Sequence, residues 1–319
     1  MLGADNTFAQ RMAACSLAGG CIATAGQAPS LASTLLWATL CGLLGVALSV
    51  LGGAGRNAAP AEPPPSTAGL LARFERFAPL CTLSFFLPVL RTPLAPGADM
   101  AMHAALARAI AQGSAALSPA WTDVQIAAYP RGFSAWLAVL GASVGYGPAS
   151  IVVSGVAFSL YYFGLRAFLG RALQLPSPGV IAAFLALGSR TPQSFYGWGG
   201  APTAMALGFG LLAAGELASA LTEPTRRARL AAALVAGVLL VGGLWTHPIG
   251  ACLGAALSGI GLTLRGRRLP LRAAGLGLLA LLPVAPTMLW LRAHGPVMSA
   301  RELSWIGDFQ LQSDNALGS

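Results

Sequence analysis

Charge is missing from this chain over distances that a water-soluble fold does not tolerate. No Asp, Glu, Lys or Arg falls between Arg11 and Arg56, between Arg131 and Arg166, or between Arg229 and Arg265. A bilayer-crossing helix needs roughly 17 to 25 apolar residues, and each gap is long enough to hold one. With 55% of its 319 residues hydrophobic and 9% charged, the chain reads as all-α, a polytopic transmembrane helical bundle. A soluble globular domain is not expected.

Apolar runs that serve as candidate spans cover residues 9–27, 31–53, 77–92, 150–165, 179–190, 202–221, 230–246, 248–264 and 273–292, about nine in all. Several are short, so neighbours must bury their ends. Residues 9–27 carry one Arg and end in small residues, which also fits a signal peptide; the second run follows at once and favours a span.

All nineteen basic residues are Arg, alongside heavy use of Ala, Gly and Leu, which reflects a coding bias rather than a device. The net charge of +9 would suit nucleic acid only on a solvated basic face or stripe. Here the arginines sit in short loops between apolar runs, so no nucleic-acid partner is expected and they mark topology instead. Arg226, Arg227 and Arg229, and Arg265, Arg267, Arg268 and Arg272, flank a hairpin that turns at Thr246-His247-Pro248. Both clusters are then cytoplasmic and His247 is outside. Counting back puts residues 189–202 outside, Arg166, Arg171, Arg73 and Arg76 inside, and the segment with Asp99 outside. The parity holds only if the apolar run 133–146 does not cross, so it reads as a re-entrant or interfacial helix. Such a helix needs cover for its ends, which points to a covered cavity on the outer face.

The chain divides into an N-terminal transmembrane hairpin (1–56), a Pro-rich cytoplasmic linker (57–72) and a bundle (73–292) with an outer loop at 93–149. Residues 293–319 form an outer tail, either the start of a further domain or a short cap. No period of roughly 20 to 50 residues and no matched pair of interrupted helices is visible, which argues against an inverted-repeat transporter. Cys15, Cys21, Cys41, Cys81 and Cys252 all lie in apolar runs without a CxxC, so they read as small buried hydrophobes.

Polar chemistry concentrates in residues 91–133, which carry Asp99, His103, Asp123 and Tyr129-Pro130-Arg131-Gly132-Phe133. A helix over 99–112, turning about 100° per residue, puts Asp99, His103, Leu106 and Ile110 on one face and Arg108 and Gln112 opposite. Apolar surroundings raise a carboxyl pKa while a protonated imidazole lowers it, so the pair is suited to proton transfer. The structural alternative is that Asp99, after Pro96-Gly97-Ala98, caps a helix and His103 is a partly buried rim residue. A metal would need further ligands from Asp123, His247, His294, Glu302 or Asp308, and neither a metal nor a cofactor is expected. Arg131 suits a lipid phosphate or pyrophosphate, with interfacial anchoring as its alternative. In the loop 194–200, Trp198 can stack on a sugar or belong to the interfacial aromatic belt. His247 can hydrogen-bond a substrate or cap the preceding helix. Glu216, an intramembrane acid near the cytoplasmic end, reads as a structural pair or a snorkelling group.

Taken in order, Gly97-Ala98-Asp99 with His103, then Tyr129-Pro130-Arg131-Gly132-Phe133, then Trp198-Gly199-Gly200-Ala201-Pro202-Thr203, then His247-Pro248, resemble a bacterial branch of the GT-C superfamily of polytopic membrane glycosyltransferases. The motifs span about half the chain. The resemblance implies a multi-pass protein of the bacterial inner membrane with an essential acid in its first large outer loop. It further implies inverting transfer of a hexosyl or pentosyl group from a polyprenyl-phosphate-linked donor to a glycan or protein acceptor at the extracytoplasmic face. Asp99 and His103 would then be catalytic, and Arg131, Tyr129, Trp198 and His247 would bind substrate. The chain departs from that pattern in that Asp99 stands alone rather than in an acidic pair. Two other classes remain, a non-catalytic membrane scaffold related to such enzymes and a transporter or lipid flippase.

Overall fold

A computed structural model describes residues 7–25, 30–51, 68–84, 92, 95, 100–112, 130–188 and 200–294. Every regular element among them is helical. The chain forms α1 (Thr7–Ile22, then a short 3-10 turn), α2 (Leu31–Leu51), α3 (Ala68–Ser84), α4 (Met100–Ala111) and α5 (Gly132–Val144). There follow α6 (Tyr146–Ala167, continued by a π turn at Phe168–Ala172), α7 (Pro178–Gly188), α8 (Ala201–Thr222) and α9 (Arg226–Thr246). The last three are α10 (Pro248–Gly266), α11 (Pro270–Leu281) and α12 (Val284–His294).

Among the described residues, four helices are long and apolar enough to cross a membrane: α2, α6 with its π turn, α8 and α9. This is fewer than the nine runs expected, and some boundaries move. The run 273–292 is two helices, because Pro283 has no N–H to continue the ladder and the chain turns between α11 and α12. Residues 77–84 of the run expected at 77–92 belong to a helix that begins earlier, at Ala68, and has Pro79 inside it, while 85–91 lie outside the described residues. The linker at 57–67, the loop 189–199 and the tail 295–319 lie outside the described residues.

The centre of the bundle is α8, which packs against α6, α9 and α10. In their most apolar stretches α8 and α9 bury 83% and 78% of residues and α2 only 39%, which makes α2 peripheral. Its Leu35, Leu36, Leu40, Leu43 and Leu44 face outward, as do Leu271, Leu278, Leu282 and Leu289 of the last two helices. Exposed apolar faces of this extent suit lipid rather than water.

Glycine lets the central helices touch. A Cβ built on Gly254 of α10 would lie 2.6 Å from the Gly210 Cα of α8, and Ser258 Oγ donates to the Gly210 carbonyl at 3.2 Å. Small residues at helix contacts bring backbones within dispersion range, the main attraction between helices where lipid is as apolar as the side chains. The N-terminal hairpin is packed into this body, since α1 lies against α9 and α5 as well as α2.

The bundle has two chemically different ends. At one, Glu216 of α8 accepts hydrogen bonds from Arg11 of α1 at 2.9 and 2.6 Å and from Arg171 of the π turn at 2.9 Å. Nearby, Arg166 Nε donates to Glu75 at 3.3 Å, and the Glu75 carboxylate accepts the Gly179 and Val180 N–H groups that open α7. The α8–α9 turn with Arg226, Arg227 and Arg229 lies at this end, and Arg272 Nη1 reaches the Leu221 carbonyl at 3.4 Å. Glu216 is therefore a structural pair as expected, with partners far away in sequence. Helix α5 has thirteen residues, about 20 Å at 1.5 Å each, too short for a hydrocarbon core of about 30 Å. It starts against Cys21 and Trp245 and ends at the turn into α6, so it does not carry the chain to the arginine-rich end. Cys15, Cys21 and Cys41 are buried as expected, whereas Cys81 and Cys252 are exposed.

A Cβ at Gly254 meets backbone, whereas one at Gly259 on the same helix meets nothing within 4 Å. Gly254→Ala is expected to lower the thermal midpoint of the purified protein, at a cost of about 1 to 3 kcal/mol for overpacking. Gly259→Ala should leave that midpoint within error, as read by fluorescence-detected size exclusion after heating.

Candidate functional site

Three of the six candidate residues fall among the described residues, and all three lie at the end opposite the arginine cluster. His103 sits on α4, Arg131 immediately precedes α5, and His247 joins α9 to α10. Asp99, Tyr129 and Trp198 lie outside the described residues, as does Asp123.

Helix α4 buries Met100, His103, Leu106 and Ile110 and exposes Arg108 and Gln112. For the described residues, the face expected from the helical period is the face observed. Arg108 extends over the Tyr146 ring, 5.2 Å from its centroid, a cation–π contact at the outer rim of α6. The chain ahead of α4 is held by Ala95, whose N–H donates to Ser150 Oγ at 2.8 Å. Ala95 and Met100, the first residue of α4, are 2% and 0% exposed.

His103 is 1% exposed. Its Nδ1 and Ser134 Oγ share a hydrogen bond of 3.1 Å, and its ring meets the edge of Phe133 at 5.2 Å between centroids. Burial drives its pKa down from 6.5 to about 3, and the nearby His247 pushes in the same direction. The imidazole is neutral at neutral pH, so the protonated partner that the sequence suggested for Asp99 is absent. Ser134 and Phe133, which orient the ring, follow Arg131-Gly132 directly; sequence reasoning passed over Ser134 because a serine in an apolar helix carries no signal of its own.

Arg131 is the N-cap residue of α5 and is partly buried, which holds its pKa below the usual arginine value. It stays charged, since arginine does not lose its proton in proteins. The next residue explains how the guanidinium is positioned. A Cβ built on Gly132 would fall 2.7 Å from Cys21 Cβ and 2.7 Å from the Trp245 carbonyl oxygen. Gly132 thus serves close approach at the junction of α1, α5 and α9. Trp136, one turn further on, donates from Nε1 to the Leu17 carbonyl of α1 at 3.0 Å.

His247 caps both the preceding and the following helix, since its backbone N–H donates to the Gly243 carbonyl at 2.9 Å at the end of α9. The N–H of Gly250 donates to its Nδ1 at 3.4 Å. A ring that accepts at Nδ1 carries its neutral-state proton on Nε2. The residue is partly exposed, and burial lowers its pKa from 6.5 to about 4. The geometry thus places the partly buried Arg131, two neutral imidazoles and the start of two helices, α5 and α10, at one end of the bundle, with Arg108 exposed at its rim. Helix starts carry partial positive charge and unsatisfied N–H groups, so this collection favours an anionic group.

Among the described residues, no three His, Cys, Asp or Glu side chains come together as a metal site would require. Compared with known proteins, the chain matches no protein-family profile, no curated protein and no solved structure.

Unfolded, both histidines take up a proton near pH 6.5; folded, they do so only near 4 and 3. Across that interval the unfolded chain binds protons that the folded chain refuses, so stability falls as the pH drops below 6.5. We expect the thermal midpoint in detergent to decrease between pH 7 and 4. His103→Gln, which keeps a hydrogen-bonding group beside Ser134 but does not titrate, should remove about half of that decrease, the remainder belonging to His247. An unchanged slope in the variant would assign the pH dependence elsewhere.

Proposed function

We propose that this chain is a membrane glycosyltransferase that transfers a sugar from a polyprenyl-phosphate-linked donor to an acceptor at the end of the bundle away from the arginine cluster. By the tendency of cytoplasmic loops to collect arginine, that end is extracytoplasmic. The observation that carries the reading is the placement of Arg131. It is a partly buried guanidinium at the start of α5, on the same end as His103 and His247, and a fixed cation there suits a phosphate. Asp99, one residue before α4, is the candidate general base for the acceptor hydroxyl. A positioned base contributes about a hundredfold or more to such a step, and donors aimed at a leaving phosphate contribute on a similar scale.

His103 in this reading is a positioning residue. It is 1% exposed and neutral at neutral pH, and its hydrogen bond to Ser134 ties α4 to the start of α5, next to Arg131. The same burial favours a second reading, a non-catalytic scaffold in which His103 is only packing. No described intramembrane acid besides Glu216 is available to line a path through the bundle, and Glu216 is held by two arginines, so a transporter or flippase is the least supported alternative.

The test is sugar transfer from a polyprenyl-phosphate sugar by protein reconstituted in liposomes. Asp99→Asn should cut turnover about a hundredfold or more without loss of folded protein. Arg131→Gln should chiefly raise KM for the donor, by about tenfold or more for a lost charge-assisted hydrogen bond. Unimpaired transfer by Asp99→Asn would remove its role, and no transfer or donor binding by the wild type would favour the scaffold.

A further inference from the structure

The opposite end of the molecule holds a second feature that the proposed chemistry does not use. Between α1, the α6–π turn and α7 lies an open cavity of about 210 Å³, lined by Gln10, Phe163, Arg166, Arg171 and Pro178 among others. Arg166 and Arg171 retain 28% and 23% side-chain exposure although each is paired to a carboxylate.

Charge in this cluster is not balanced. Arg11, Arg166 and Arg171 face Glu75 and Glu216, three positive groups to two negative. The Glu75 carboxylate also accepts the first N–H groups of α7, so part of its charge is engaged by a helix start. The walls differ along the membrane direction. Phe163, which is 37% exposed, lies one turn of α6 deeper in the apolar zone than Arg166. The cavity is thus apolar toward the hydrocarbon and cationic toward the aqueous side, the polarity of an anionic amphiphile.

The backbone around it is irregular in a way the rest of the described chain is not. The helix α6 widens into a π turn at Phe168–Ala172, which carries Arg171. The connection to α7 holds Gln174 and Ser177 at φ 57° and 51°, the only non-glycine residues with positive φ among those described. Left-handed backbone at such residues costs energy and persists where surrounding structure demands it, often at ligand sites, and π turns concentrate at functional positions.

We infer that this cavity binds an anionic phosphate group, with Arg166 and Arg171 as its cationic partners, Gln10 at its rim and Phe163 against the attached chain. Basic pockets between transmembrane helices on the cytoplasmic side are suited to lipid head groups, and the apolar Phe163 wall favours a phospholipid over a soluble phosphate. The site is independent of the sugar transfer proposed for the other end.

Native mass spectrometry of the full chain in mixed micelles tests this, with phosphatidylglycerol and phosphatidylcholine as probes and glycerol 3-phosphate as soluble competitor. One phosphatidylglycerol should be retained at least about tenfold more than phosphatidylcholine. Gln10→Glu, at an exposed position that makes none of the ion pairs, should reduce that retention about tenfold by adding a negative charge at the rim. Arg166→Gln should do the same, while Arg108→Gln at the far end should not. Displacement by glycerol 3-phosphate at equal concentration would support the phosphate chemistry and assign the occupant to a soluble source. Equal retention of both lipids, insensitive to Gln10→Glu and to the competitor, would overturn the inference.

Discussion

A carboxylate inside a membrane bundle dictates much of what surrounds it. Glu216 is 5% exposed in the most buried helix of the molecule, and an unpaired charge there would cost several kcal/mol. Its two oxygens are met by Arg11 from α1 and Arg171 from the π turn after α6, so three elements separated in sequence are held in one register. Buried ion pairs add little net stability compared with apolar packing, and their best-attested use is to specify register. That is the role the geometry gives this triad.

From that register the far end of the bundle follows. Helix α1, tethered at Arg11, runs beside α9 with Gly242 against Ala18 and presents Cys21 to Gly132. The close approach at Gly132 in turn sets where α5 begins and hence where Arg131, Phe133 and Ser134 stand. Ser134 and Phe133 orient His103, and with it α4. A charge network at one end and a glycine contact at the other thereby connect the anchoring of the N-terminal helix to the geometry proposed to hold a lipid-linked phosphate. The two ends are also chemically opposed: one gathers arginines around two carboxylates, the other holds a partly buried arginine at the same end as two neutral imidazoles.

Much of this was legible in the sequence where the signal is local or periodic. Charge-free runs marked the membrane character, the 3.6-residue period marked the buried face of α4 through His103, Leu106 and Ile110, and the arginine clusters marked one end of the bundle. The parity of the arginine-marked loops was enough to deny the run at 133–146 a crossing. What could not be read depended on contacts made far along the chain. Nothing near Glu216 points to Arg11, 205 residues away. Gly132 looks like a hinge in a turn and becomes a packing necessity only once Cys21 and Trp245 arrive beside it. The expected single run 273–292 failed for a local reason, since Pro283 interrupts an otherwise uniform apolar stretch and hydropathy averages over it. His103 lies deeper than the partly buried rim position weighed as its structural alternative, because apolar periodicity reports which face is buried, not how deeply.

The account stands on the two ends of the bundle facing opposite sides of a membrane, with the proposed site on the side away from the arginines. Single cysteines at Thr222, at the end of α8, and at Gln112, at the end of α4, are both exposed positions that can be placed in a variant lacking the native cysteines. Labelling with a membrane-impermeant maleimide, from outside intact cells and then in inverted vesicles, reads the side of each. The account predicts that Gln112→Cys reacts only from outside and Thr222→Cys only in inverted vesicles. Reaction of both from the same side would contradict it.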